Sequence, residues 1–358
     1  MGHFRIFRAR VKCAASAGKM GELASQYMDM LDLMKKQTAV VLFNLGGPDS
    51  LAAVEGFLYN LFSDPDIFKL PLGFLTQKPF ARLISRRRTP AASVGYAALG
   101  GKSPLLENTQ KQALALQQAL SAEGAYDVII CMRYWHPLTR AVVTDMKAQG
   151  YERVILLPLY PQYSKTTTGS SYNEFMRECG RQHYRPQISL IRQWYDLEEY
   201  QQAIVDDIRA AAATLPQPDP AQIELLFSAH GLPQKIVDAG DPYEQHIRAT
   251  YEALRVRLGW PHTSLCYQSR VGPLKWLQPY TKDVIGAKGA TGVKQMLVYP
   301  IAFVSDHIET LYELGMEYKE LARHSGIEHY RVVPALNDHP RLINALKQLV
   351  LNQDKAHD

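Results

Sequence analysis

Short apolar runs bounded by turn residues alternate along the chain with longer stretches of helical period. TAVVLFNLGGPDS predicts a buried strand that starts near Ala39 and ends in a Gly-Gly-Pro turn. Residues 51–61 predict a helix with Val54, Phe57, Leu58 and Leu61 on one face. Helices are then expected over 90–98, 104–121, 136–149 (stopped by Gly150), 168–182 and 197–214, and strands over 127–133, 153–160 and 188–191. After a Pro-rich break, PQPDP at 216–220, strands recur near 222–228, 263–269, 294–303 and 329–333. Helices accompany them near 242–258, 281–288, 307–323 and 340–352. Strands alternating with helices predict an α/β fold of parallel sheets flanked by helices.

The two series resemble each other. LFNLGGP (42–48) sets against LFSAHGLP (226–233), ICMRYWHPL (130–138) against CYQSRVGPL (266–274), and VILLPLYPQYSKTT (154–167) against MLVYPIAFVSDHIET (296–310). Three pairs in the same order predict a duplicated Rossmann-like domain with a cleft between the copies. The expected division is a basic extension over 1–37, a first domain over 38–215, a second over 216–337, and a C-terminal helix and tail over 338–358. The extra length of the first copy lies in the insertion over 51–125, where residues 66–86 are apolar and run directly into Arg86, Arg87 and Arg88. A long apolar connection reads as a lid or lip over a site, or as a face resting on a membrane surface; the plainer reading is a helix packed on its own domain.

The densest chemistry lies in VYPIAFVSDHIETLYEL, 298–314. An apolar strand gives way at Ser305, Asp306 and His307 to a helical stripe of Ile308, Leu311, Tyr312 and Gly315. Asp306 and Glu309 have the spacing of a capping box, a purely structural reading. The same groups also stand at a strand's carboxyl end, where α/β sheets bind ligands. His230 follows another strand in the same half, and its imidazole is a base near neutral pH and a borderline metal ligand. One histidine and one carboxylate make an incomplete cage, which suits a metal that passes through. Tyr96, Tyr134, Trp135, Tyr160, Tyr163, Trp276, Tyr280 and Phe303 offer flat faces for stacking on an apolar ligand, or belong to the core. Arg88, Arg133, Ser103 and Ser164 are candidates for carboxylates at its rim.

Composition narrows the classes. The chain has 358 residues, 46% hydrophobic and 21% charged, with a formal charge of +5, the profile of a globular protein of about two domains. Apart from Arg86–Arg88 the basic residues are dispersed, so a nucleic-acid role is not expected. No apolar run approaches the ~20 residues of a spanning helix. Cys13, Cys131, Cys179 and Cys266 are scattered without a CxxC pair, consistent with a reducing compartment. Residues 1–19 are basic but lack the apolar core of a secretory signal.

NLGGP, RRTP, GGKSP, RYWHPLT, YPQYS with TTGSS, LFSAH, GDPY, QSRVGP and PIAFVSDHIETLYEL together resemble the ferrochelatase family, from about Val40 to Val350. The resemblance implies a lyase that inserts Fe²⁺ into protoporphyrin IX, the last step of haem synthesis, with two protons released. It implies two chelatase-type domains around a porphyrin cleft. His230 and Glu309 would be the catalytic and metal-handling pair, with Asp306 and His307 in a polar path leading away. Arg133, Tyr134, Tyr160 and Trp276 would line the porphyrin or iron path, with Tyr96 and Ser164 also on the substrate side. Arg88 and Ser103 would meet propionates, and 66–88 would form a hydrophobic lip that touches a membrane peripherally. A cytoplasmic location, peripheral to the inner face of the membrane, follows, with no nucleic-acid partner.

Two departures matter. Some family members hold a [2Fe–2S] cluster through a cysteine after YPQYS and three near the C-terminus. Here Lys165 takes the first position and no cysteine follows Cys266, so no iron–sulfur cluster and no permanently bound cofactor is expected, with Fe²⁺ as substrate. Leu45 stands where some members have Met, removing a thioether contact for iron. The alternatives are a chelatase for another tetrapyrrole, coproporphyrin III or a corrinoid precursor, and a non-catalytic porphyrin-binding protein.

Overall fold

A computed structural model of the chain describes residues 37–68 and 72–356. The basic extension and the helix expected over 21–37 lie outside the described residues, except for Gln37. The strands are β1 (Thr38–Asn44), β2 (Tyr126–Met132), β3 (Arg153–Pro158), β4 (Gln187–Leu190), β5 (Glu224–His230), β6 (Thr263–Gln268), β7 (Gln295–Tyr299) and β8 (His329–Val332). They form two four-stranded parallel sheets, ordered β2-β1-β3-β4 and β6-β5-β7-β8. The duplicated α/β architecture is therefore present, with one strand order in both halves.

The helices are α1 (Val54–Phe62), α2 (Gly73–Ala98), α3 (Leu105–Leu120), α4 (Thr139–Gln149), α5 (Ser170–Arg181) and α6 (Glu198–Ala212) in the first series. The second series has α7 (Gln234–Asp238), α8 (Tyr243–Leu258), α9 (Thr281–Ala290), α10 (Tyr318–His324) and α11 (Pro340–Lys355). Two π-helices, Lys165–Gly169 and Glu309–Glu317, occupy equivalent places after β3 and β7.

Alternation along the strands sorts residues between layers. Ala39, Val41 and Phe43 pack outward with Val142, Met146 and Phe175 of α4 and α5. Val40 and Leu42 point inward and share one core with Leu225, Phe227 and Ala229 of β5. Residues of α3, α6, α8 and α11 fill that shared layer between the sheets. On the far side of the second sheet, Leu226, Met296 and Val298 pack with Ile285, Leu314 and Ala322. The sorting is interlocked: α11, last of the described helices, packs on α3 and β3 of the first half, while α6 packs on α8 and β7 of the second.

The repeat is real, but its register differs from the match of identical letters. Leu159 N–H donates to Phe43 O, and its counterpart Ile301 N–H donates to Ser228 O. Phe43 is thus equivalent to Ser228, one residue on from Phe227, and lies on the outer face while Phe227 lies on the inner. A one-residue slip reverses the faces, so the paired LF letters are coincidental. Likewise Met132 N–H donates to Pro137 O and Tyr267 N–H to Pro279 O. Pro137 therefore matches Pro279, not Pro273, and residues 269–275 belong to a loop the first half lacks.

Over 66–98 the plainer reading holds, a helix packed on its own domain, but with other bounds than expected. Instead of a connection followed by a helix over 90–98, Gly73–Ala98 is one 26-residue helix with Pro79 and Pro90 inside it. An interior proline costs about 3 kcal/mol in an isolated helix. Here Ala81, Ile84, Ala92 and Tyr96 pack with Phe57, Leu58 and Phe62 of α1, and tertiary burial overrides the local preference.

Candidate active site

Every strand is parallel within its sheet, so all C-terminal ends of one sheet share one edge. His230 ends β5. Counting back by twos, it lies on the face of Leu226 and Ser228, which the Glu309–Glu317 helix covers through Leu314. His230 Nδ1–H donates to Gly231 O at 2.6 Å, since a carbonyl only accepts. In the neutral ring this leaves Nε2 as an open lone pair, 3.6 Å from Glu309 Oε1. His307 is arranged alike: Nδ1–H donates to Ser305 O at 3.1 Å, and Nε2 stands 3.5 Å from Glu309 Oε2. Two imidazoles thus flank one carboxylate at distances longer than hydrogen bonds. Glu309 Oε2 is buried and has no hydrogen-bond partner.

Burial pushes the Glu309 carboxyl up, but the positive charge that the His230 ring, and then the His307 ring, carries when protonated holds it below the ordinary carboxylate value. One π-helical turn on, burial and the charge of Glu309 raise the Glu313 carboxyl. Glu313 accepts from Ser269 N–H at 2.9 Å and from Tyr318 OH at 2.9 Å. Glu313 was missed in the sequence, where its four-residue spacing from Glu309 is the one signal of it.

The capping reading of Asp306 and Glu309 fails. Ile308 occupies the cap position, with no side-chain capping bond. Asp306 instead accepts from Thr310 OH at 2.9 Å and Asn337 amide at 2.8 Å, holding the turn before the helix against the β8–α11 loop. The expected stripe of Ile308, Leu311, Tyr312 and Gly315 is also not the buried face: Thr310 and Leu314 are buried, and Leu311 is exposed. The π-helix widens the turn and shifts the period. Ile308 and Tyr312 meet α2 at Gly95, where an added Cβ would lie 2.9 Å from Ile308 Cδ1 and 3.0 Å from Tyr312 Cδ1.

The surroundings are aromatic. Phe303 lies edge-on to His307 at 4.4 Å and to His230 at 6.5 Å, and Trp276 stands 6.2 Å from His230. Tyr96, buried on α2, has its phenol held protonated by burial and by the charge of Glu309.

The remaining candidates fall elsewhere. Arg133 and Tyr134 share a buried partner the sequence did not reveal, Asp64: Arg133 Nη2 lies 2.9 Å and Tyr134 OH 2.6 Å from Asp64 Oδ2. Tyr134 is wholly buried, and Tyr160 has a buried hydroxyl. Ser164 reaches no surface; its hydroxyl donates to Asp241 at 2.9 Å and is not at a rim. Ser103 is buried before α3, and its hydroxyl accepts the Leu105 N–H at 3.3 Å. Arg88 stands exposed on α2.

The sequence profile of the ferrochelatase family matches residues 37–354. A ferrochelatase of Synechococcus sp. (strain JA-3-3Ab) is 48% identical over 323 residues, covering 88% of this chain and 93% of that protein. One of Thermosynechococcus vestitus is 48% identical over 322 residues, covering 88% and 82%. Among solved structures, SirB from Bacillus subtilis with Fe³⁺ superposes with a TM-score of 0.53 at 12% identity, covering 88% of this chain and 95% of that one, a likeness of fold alone. Matched along nearly all of its described length, the chain belongs to the ferrochelatase family.

Proposed function

We propose that the protein inserts Fe²⁺ into protoporphyrin IX with release of two protons. One observation carries the reading: the open Nε2 of His230 faces a buried carboxylate with an unsatisfied oxygen. Family membership supports it. His230 Nε2 accepts a pyrrole proton, and the imidazolium formed is stabilised by Glu309 at 3.6 Å. The other carboxylate oxygen meets His307, which offers a second acceptor and a way out for protons past Ser305. Phe303 and Trp276 give the porphyrin flat walls beside the base. Replacing His230 with Ala should abolish insertion of Fe²⁺ into protoporphyrin while the unfolding transition stays cooperative; near-parent turnover would remove His230 from the mechanism. Parallel assays with coproporphyrin III identify the preferred tetrapyrrole.

No iron–sulfur cluster is part of this proposal. Lys165 stands at the expected ligand position, and burial raises the thiols of Cys131, Cys179 and Cys266 to about 12, 11 and 12. Acid-labile sulfide in the purified protein would overturn this. The proposal places the protein in the cytoplasm, in peripheral contact with the membrane through residues 66–88, whose described part lies largely on α2. Among the described residues no helix is long and apolar enough to cross a membrane. On α2 and at its start, Leu72, Leu75 and Leu83 are exposed near Arg86, Arg87 and Arg88. Sedimentation with anionic vesicles tests it; protein left wholly in the supernatant argues against contact.

A further inference from the structure

GDPY and the turn after YPQYS take no part in the chemistry above, yet they meet. Asp241 is buried, at 3% exposure. Its Oδ2 accepts from Ser164 OH at 2.9 Å and Lys165 N–H at 2.7 Å, both in the first half. Its Oδ1 accepts from Tyr243 N–H at 3.0 Å, in the second. Tyr243 OH in turn donates to His230 O at 2.8 Å. The other side of the same peptide is held too, since Gly231 N–H donates to Gln268 O at 2.9 Å. The plane of the His230–Gly231 peptide therefore rests on two hydrogen bonds, and one comes from a tyrosine whose backbone Asp241 holds.

We propose that Asp241 is a positioning residue for metal insertion: it fixes the aim of His230 Nε2 and ties that aim to the first half of the cleft. The seam around it is continuous. Gln162 amide donates to Thr250 OH and Ile301 O, each at 3.3 Å, and Tyr163 N–H donates to His246 Nδ1 at 3.2 Å. Residues 162–165, shortly after β3, are thus clipped to the first two turns of α8 and the Asp241 before it, and to the segment after β7 that leads to His307 and Glu309. Asp241 is the acidic group in this clip, and its two oxygens divide between the halves. Asn cannot reproduce that division, because its amide nitrogen would face an N–H donor on one side or the other. A shift of a few tenths of an ångström at His230 changes its angle to the porphyrin nitrogens, not the area that grips the ring.

The inference rests on His230 as the base. The test is a double-mutant cycle on the whole protein with Ser164→Ala and Tyr243→Phe, one on each side of Asp241. Each should lower kcat about fivefold, the worth of one hydrogen bond, with KM and porphyrin affinity by fluorescence quenching unchanged. Together they should lose little more than one alone, because both weaken one path: Ser164→Ala leaves Asp241 held from the first half by the Lys165 N–H alone, and Tyr243→Phe frees the His230 carbonyl. Asp241→Asn should match or exceed the double variant. Independent losses multiplying to about 25-fold, either single at parent kcat, or losses that appear in porphyrin affinity would overturn the positioning role. A parent protein that inserts no Fe²⁺ would instead overturn the base assignment beneath it.

Discussion

Glu309 lies between two imidazoles with one oxygen unsatisfied, so its charge is more than packing requires. Gln fills the same space without that charge. Glu309→Gln should lower turnover by at least ~100-fold, the scale of acid–base contributions. The pH dependence of stability gives a second reading. The folded carboxyl titrates below the ordinary 4.5, so its contribution is present above that pH and is lost as pH falls through the folded value. Against Glu309→Gln, the parent should be more stable just above that pH, where carboxylate and rings are charged together, and lose that advantage as pH falls further, as read from urea midpoints across pH. A variant with near-parent turnover and parallel pH curves would reduce Glu309 to a filler. At this scale the sequence was partly legible. His230 and Glu309 stand out as polar residues just past apolar strands. Asp64 and Asp241 do not, because a buried carboxylate announces itself only through donors brought from far along the chain.

The Glu309–Glu317 helix is where local pattern and structure part. A 3.6-residue period selected the wrong stripe because the turn is wider. Nothing in ETLYELGME signals a π-helix in advance; the extra residue per turn is stabilised by contacts on both sides. Gly95 is one of them. Its missing side chain lets α2 lie against Ile308 and Tyr312. Gly95→Val forces the two helices apart at the point where α2 covers the site. Turnover should fall by about tenfold or more, since small displacements in an active site cost at least that. Porphyrin affinity should fall with it, because α2 carries most of the expected lip over 66–88. Parent-like kinetics in this variant would mean that α2 and the π-helix move independently. The prolines of α2 misled in the other direction, since their local cost is overridden by packing on α1.

Across the molecule, alternation of strands and helices gave the fold class and the doubling, and parallel pairing confirms both. The crossing of helices was invisible, because sequence order says nothing about which sheet a helix covers. With α6 on the second sheet and α11 on the first, neither half has a complete inner layer of its own. Urea unfolding should therefore be a single transition, with near-UV dichroism and tryptophan fluorescence coincident. Two separated transitions would show that the halves are autonomous.

The same crossing sets a timetable for synthesis. β3 leaves the ribosome long before α11, which packs on it, has been made. Through most of translation, Ile155 and Leu157 wait for Leu342 and Leu346 of a shared core. A nascent chain stalled before residue 340 carries an uncovered apolar sheet face, a natural target for chaperones that hold unfinished chains. Closure of the first half is thus postponed until the last of the described helices has been made.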